Sequence, residues 1–173
     1  LELLGKPVAD FEFTGADGKP ITLKTLAGKT AVLEFWSTDC PSCPQAMPEV
    51  QELYRQYKGN DKVAFLAVST DDAKVENKAV EKQLAEWKVD MPLARDLKNS
   101  RAPLKVTAVP TLVLLSDKGA LLHFQMGMAP GGSVEVAGKL RQALAGEDVV
   151  ALMAQQYEEA TRQFPKMVER WAK

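Results

Sequence analysis

Apolar residues change their spacing along this chain in a way that marks out successive elements. Phe11 and Phe13 alternate with Glu12 and Thr14, and after the turn residues Ala16-Asp17-Gly18-Lys19 the chain resumes with Ile21-Thr22-Leu23, which predicts an N-terminal β-hairpin. Ala31 to Trp36 is apolar except for Glu34 and predicts a buried strand. Met47, Val50, Leu53, Tyr54 and Tyr57 then recur at steps of three and four, so residues 41–58 predict an amphipathic helix lying on a sheet and ended by Gly59-Asn60. Val63 to Val68 is continuous rather than alternating, as a strand covered on both faces would be, and this points to a parallel pairing. Val80, Leu84 and Trp87 mark a helix over 74–88, and Met91 to Ala94 a short extended piece. The β-α-β-α-β order implies right-handed crossovers. Thr111 to Leu115 and Ala120 to Phe124, joined by Ser116-Asp117-Lys118-Gly119, predict a second hairpin, and Val136, Leu140, Ala143 and Leu144 a helix stopped at Gly146.

The last stretch is of a different kind. From Val150 the apolar positions fall at Met153, Tyr157, Ala160, Phe164, Met167 and Trp171, the alternating steps of a heptad seam. The chain therefore divides into a domain over residues 1–146 and a helical extension over 147–173. The extension reads first as a long helix packed on its own domain, and otherwise as a seam for a weak dimer or a docking helix. Pro165 predicts a break or kink near Gln163.

The length of 173 residues suits one domain with an appendage, and 46 per cent apolar with 26 per cent charged residues is ordinary globular composition. A formal charge of −1 without a basic run excludes a polyanion-binding surface, so no nucleic-acid partner is expected. The apolar run Val63 to Val68 falls far short of the roughly 20 residues that span a bilayer. Leu1-Glu2-Leu3-Leu4 lacks the charged and apolar regions of an export signal, although a processed start would lack them too.

The chain has two cysteines, Cys40 and Cys43. Zinc needs four ligands, and neither a second cysteine pair nor a histidine pair accompanies them; the one histidine, His123, lies in a strand pattern. Redox chemistry remains, with no metal and no bound organic cofactor, because the electrons pass through the two sulfurs. Cys40 is expected at the N-cap of the 41–58 helix with Pro41 at the first helical position, so that its sulfur faces unpaired amides and its thiol pKa falls. Cys43, one turn on and deeper, would attack the mixed disulfide that Cys40 forms with a substrate. Glu34, between Leu33 and Phe35 in a buried strand, is expected to have a raised pKa and to take the proton from Cys43; the alternative is an acid at a strand edge paired with a lysine.

Phe35-Trp36-Ser37-Thr38-Asp39-Cys40-Pro41-Ser42-Cys43, followed by Pro48 and by Val109-Pro110-Thr111, resembles the thioredoxin superfamily. The likeness spans roughly residues 5 to 146. The longer N-terminal region and the extra unit between residues 62 and 95 resemble the extracytoplasmic TlpA and ResA type of thiol:disulfide oxidoreductase. The resemblance implies an α/β thioredoxin-like fold, a central mixed sheet flanked by helices with an N-terminal hairpin. It implies a cis bond before Pro110 and catalytic roles for Cys40, Cys43, Glu34 and Pro110. Trp36, Pro41, Ser42 and the backbone of Val109 would meet the substrate. Partners would be protein thiols and disulfides and a redox partner protein. The expected location is periplasmic or otherwise extracytoplasmic, with room for a membrane anchor upstream of Leu1.

Three departures modify the picture. Asp39 stands where thioredoxins carry Trp, and a carboxylate there should push the Cys40 thiol back up. Ala46 stands where ResA-like proteins often carry an active-site Glu. Pro44 is expected to remove the first hydrogen bond of the helix. Rival readings fit less well. The peroxidase loop Pro-x-x-x-Thr-x-x-Cys is not matched, since Thr38 is too close to Cys40 and the Pro is absent. A Sco-like copper site from Cys40, Cys43, His123 and Met126 or Met128 would need a wider cysteine spacing, and the two methionines read as strand-end packing. A pure interaction module would place the working surface in residues 148–172.

Overall fold

A computed structural model describes residues 3–129 and 131–171, with residues 163–171 as backbone alone. The expected hairpin is present as β1 (Phe13–Gly15) and β2 (Pro20–Ile21), paired antiparallel. It ends earlier than the alternation suggested, because Thr22 accepts from the amide of Thr25 while Thr25 Oγ1 accepts from the amide of Thr22. This capping box turns Leu23 into the start of a short helix α1 (Leu23–Leu26) instead of a strand residue. The chain continues through β3 (Thr30–Trp36), α2 (Cys43–Tyr57), β4 (Val63–Ser69), α3 (Asn77–Glu86) and β5 (Leu93–Arg95). A 3-10 turn at Ala102–Leu104 leads to β6 (Thr111–Leu115), β7 (Leu121–Met126), α4 (Gly132–Leu144) and α5 (Val149–Trp171).

The strands form one seven-stranded mixed sheet in the order β2-β1-β5-β4-β3-β6-β7. β3, β4 and β5 run parallel, which suits the unbroken apolar run of β4, and β6 returns antiparallel against β3. Successive side chains of β3 point to opposite faces, and its neighbours sort accordingly. Val32 and Trp36 join Met47, Val50, Leu53, Val80, Leu84, Val136 and Leu140, so α2, α3 and α4 cover one face. Ala31, Leu33 and Phe35 join Val8, Phe11, Phe13, Leu104 and Val106 on the other, which the N-terminal segment and the long connection from β5 to β6 cover instead of long helices. Glu34 belongs by alternation to the face beneath α2.

α5 is fastened by its first turn. Val149 is buried, Val150 and Met153 lie against the core, and Gly5 comes so close that an added Cβ would meet Val150 Cγ1 at 2.9 Å. Gly146, at φ 77°, takes the left-handed conformation that ends α4 and redirects the chain into α5. Beyond Met153 the helix turns solvent-ward: Tyr157 is 75% exposed and Ala160 is exposed, so the expected packing along its own domain stops after one turn. The rest of the seam, Phe164, Met167 and Trp171, lies outside the described side chains. The expected break near Gln163 is absent, and the helix is continuous through Pro165. A proline removes one main-chain bond, and the turns on either side keep theirs.

Lys88 follows the last turn of α3 in the left-handed region, at φ 58°, with its amide on Ala85 O and the next amide, of Val89, on Leu84 O. A side chain costs about 1–2 kcal/mol in that conformation, whereas glycine enters it freely. Lys88→Gly should therefore stabilise the protein by about 1 kcal/mol, a rise of about 2–4 °C in Tm, and Lys88→Val should lower Tm. An unchanged or lower Tm in the glycine variant, measured by calorimetry, contradicts this account.

Candidate functional site

The site stands where β3 ends and α2 begins. Cys40 and Cys43 are joined by a disulfide, Sγ–Sγ 2.10 Å, with Cα atoms 5.5 Å apart. Ser42, not Cys40, is the N-cap, and Cys43 and Pro44 are the first two helical residues, so the helix starts two residues later than the spacing suggested. The reason lies in the preceding turn, which is closed by the Cys40 amide donating to Ser37 O at 3.3 Å and by Ser37 Oγ donating to Asp39 Oδ1 at 2.6 Å. Cys40 Sγ still reaches the first turn of α2 through its bond to Cys43. Pro44 costs no hydrogen bond there, contrary to expectation, because the first amides of a helix have no partner within it. Pro41 is exposed, and Cys40 retains 6% exposure while Cys43 has none, so only the first sulfur lies near the surface.

A network that the sequence did not reveal holds this turn. Thr38 donates from its amide and from Oγ1 to Asp71 Oδ1, at 2.9 and 2.6 Å, and Ser69 Oγ donates to Asp71 Oδ2 at 2.7 Å. Asp71 is buried and lies just past the end of β4, the parallel neighbour of β3. Its segment is gripped by Arg95, 3% exposed, which donates to Asn77 Oδ1 at 2.6 Å and to the carbonyls of Asp71, Asp72 and Val75. Thr38 and Asp71 are 33 residues apart, so no local pattern announces the contact.

The Val109–Pro110 peptide is cis, Pro110 is buried and Val109 half-buried. The loop is tied to the end of β7 by the Gly127 amide donating to Pro110 O at 2.8 Å. Met126 and Met128 beside it are 45% and 49% exposed, and so are surface residues instead of the packing residues expected. Trp36 has no exposure and packs edge-on against Trp87, with ring centroids 5.2 Å apart. The expectation that it meets substrate is therefore corrected: it is a core residue under the site. His123 is buried, with Nδ1 2.9 Å from Lys139 Nζ, and Lys139 in turn donates to Glu135 Oε1 at 2.6 Å. Burial first, and then the Lys139 charge, hold its pKa down at about 4, and its Nδ1 is taken up by Lys139 of α4. Among the described residues no cluster of three His, Cys, Asp or Glu side chains could hold a metal ion.

Glu34 is 2% exposed, and Oε2 has no hydrogen-bond partner among the described residues. Burial, and secondarily the charge of Glu49 on α2, push its pKa up to about 8. Among the described residues no lysine pairs with it, and its burial is at odds with the alternative of a solvent-reaching ion pair. Glu49, like Asp71 and Arg95, is a residue that the sequence reading missed. It lies six positions beyond Cys43, and Ser133 Oγ donates to it at 2.9 Å.

Comparison with known proteins agrees with this geometry. Residues 4–124 match the AhpC/TSA family. The chain is 30% identical over 123 residues to the thioredoxin-like protein YneN of Bacillus subtilis, covering 71% of each chain. It is 32% identical over 126 residues to the thiol-disulfide oxidoreductase ResA of Bacillus cereus, covering 72% of this chain and 70% of that one. A solved thiol-disulfide oxidoreductase from Bacteroides fragilis shares the fold, with TM-score 0.66 and 22% identity over 79% of this chain and 98% of that one.

The raised Glu34 pKa has a consequence for stability. An unfolded glutamate ionises near its ordinary value of 4.5, whereas folded Glu34 keeps its proton up to about 8. The folded form thus binds the extra proton between those values, and its stability falls as pH rises through that window. Glu34→Gln has no such proton to lose. Relative to wild type it should gain a few kcal/mol between pH 4 and pH 9, at about 1.36 kcal/mol per pKa unit. A difference in denaturation free energy that stays constant with pH would sink the buried-acid assignment.

Proposed function

The chain belongs to the AhpC/TSA family and to the ResA-like branch of the thioredoxin superfamily, and from that premise we propose that it works as a reductant of protein disulfides, with Cys40 attacking and Cys43 resolving. Its activity is thiol:disulfide exchange through the Cys40–Cys43 pair on protein thiols and disulfides. The observation that carries the division of roles is the difference in burial across the disulfide: Cys40 can be reached and Cys43 cannot.

The cycle balances as follows. The Cys40 thiolate attacks one sulfur of a substrate disulfide and the other leaves as a thiolate. Cys43 gives its proton to ionised Glu34, and its thiolate attacks Cys40 Sγ, releasing the second substrate sulfur. The substrate gains two electrons and the protein ends as the disulfide described above. A dithiol redox partner reverses these steps. Glu34 supports this role by lying beneath the first turns of α2 on the face that receives Cys43 and Met47. Val109, which packs against the cluster that holds Cys40 and Cys43, and the exposed Pro41 support the reading that Pro110, Val109, Pro41 and Ser42 offer an extended substrate chain its seat.

The charges support the reducing direction. A dithiol is oxidising when its thiolate is stabilised in the reduced state. Here Asp39 adjoins Cys40 and Glu34 underlies the helix, while Cys40 stands outside the helix cap, so the thiolate is poorly stabilised and the disulfide is favoured. We further place the protein outside the cytoplasm, as the TlpA and ResA resemblance implies. Among the described residues no helix is long and apolar enough to cross a membrane. Residues 147–173 are read as a separate extension, through which the chain acts as a monomer or a weak dimer.

Cys43→Ser should trap a stable mixed disulfide with a model substrate through Cys40, and Cys40→Ser should trap none, as read by intact mass. In single-turnover mixing, the wild-type resolution rate should rise with pH through about 8, where Glu34 ionises. Glu34→Gln should lose that rise and run about 10²-fold slower above it, the usual worth of a positioned base. An unaltered profile removes Glu34 from the mechanism.

The reduction potential, titrated against glutathione, should lie nearer about −270 mV than about −120 mV. Asp39→Asn should raise it by relieving the thiolate of a neighbouring charge. A wild-type value at the oxidising end rejects the reductant reading.

A further inference from the structure

A base sealed under a helix must exchange its proton with water between turnovers, or it works once. Glu34 lies on a narrow cleft between α2 and the segment joining β7 to α4, with Ala46, Glu49, Gln125, Met128 and Ser133 also on its walls. The cleft volume of about 20 Å³ exceeds the roughly 10–15 Å³ one water requires. Ala46 keeps it open, since its methyl group leaves unfilled the space a longer side chain would occupy. Glu49 is exposed, and its carboxylate is fixed by Ser133 Oγ from the opposite wall at 2.9 Å. The unpartnered Oε2 of Glu34 is therefore one end of a short polar path whose other end is a solvated carboxylate.

We propose that this cleft is the passage through which Glu34 exchanges its proton with solvent, and that Glu49 is the group that hands the proton on. The proposal rests on the reading of Glu34 as the base for Cys43. One proton moves from the Glu34 carboxyl through a single water to the Glu49 carboxylate and thence to bulk water, so that Glu34 regains its charge and Glu49 keeps its own. Glu34 and Glu49 are the titratable residues on the cleft walls. From the packed elements around them, α2 contributes Cys43 as well, β4 and β6 present Ala67 and Leu112 beside Glu34, and β7 and α4 present His123, Lys139 and Glu135, which bond among themselves. The repulsion of Glu49 on Glu34 is what two carboxyls sharing one passage should show.

The test follows the carboxyl carbon of Glu34 by ¹³C NMR across pH 6–9 on the full chain in its disulfide form, where no catalysis occurs. Glu49→Gln should slow proton exchange at Glu34 at least tenfold and lower its titration midpoint, and Glu49→Asp should restore most of the exchange rate. Ala46→Leu, which fills the passage, should slow exchange while leaving Glu49 in place. Unchanged exchange in both Glu49→Gln and Ala46→Leu overturns the proposal, and slowing in Ala46→Leu alone overturns the part given to Glu49. Because the readout needs no turnover, it is separable from the base role: an unaltered resolution rate in Glu34→Gln would defeat that role whatever the exchange rates show.

Discussion

An ionisable carboxyl placed beneath a redox-active pair is the constraint around which the rest of this protein is arranged. β3 supplies it, because the alternation of a strand that must bury both faces sends Val32, Glu34 and Trp36 to the side covered by α2. An apolar residue at position 34 would stabilise the sheet better by any area argument. The acid is kept in a place where its charge is costly, and strained protonation of this kind is concentrated at sites that move protons.

That costly group is useful only if the sulfurs above it are held still. Two sets of bonds do this from outside the motif. The parallel pairing of β3 with β4 brings Ser69 and Asp71 beside Thr38, and Arg95 on β5 fastens the Asp71 segment by its carbonyls. On the other flank, β6 and β7 carry the cis Val109–Pro110 loop, pinned by Gly127. The active turn is thus held on one side by side chains from the end of β4 and from β5, while on the other flank the cis loop is itself fixed by its main-chain bond to the end of β7. The sheet order, with β3 between β4 and β6, makes both clamps possible at once.

The legible part of this arrangement was the part written in local periodicity. The long elements declared themselves through steps of three and four or through unbroken apolar runs, and Cys40, Cys43 and Glu34 stood out by residue type and spacing, whereas Pro110 was picked out only by the family resemblance. Boundaries failed where a side chain decided them: Thr22 and Thr25 began a helix inside an apparent strand, and the Ser37–Asp39 turn delayed α2 past Cys40. Trp36 was misread because being near a motif in sequence is not being exposed beside it, and its partner Trp87 comes from beyond α3. Asp71, Arg95 and Glu49 were illegible for a shared reason. Each acts through a contact set by strand order or helix packing, and in the sequence each is one more charge among 45 that are formally charged (22 basic, 23 acidic).

On the proposed reading, the same carboxyls that carry the proton would also bias the direction of the chemistry. A thiolate at position 40 must coexist with Asp39 beside it, and ionised Glu34 must coexist with Glu49 nearby, so each step that creates negative charge in the dithiol state is opposed by charge already present. Joining the sulfurs removes the thiolate and with it the repulsion, while Glu34 can take up the proton that Cys43 gives away. Oxidation of the pair and neutralisation of the buried acid therefore relieve one another. On the reductant reading proposed above, this coupling is what would favour the disulfide, and the acid assigned to the second step of exchange would also help to drive it forward.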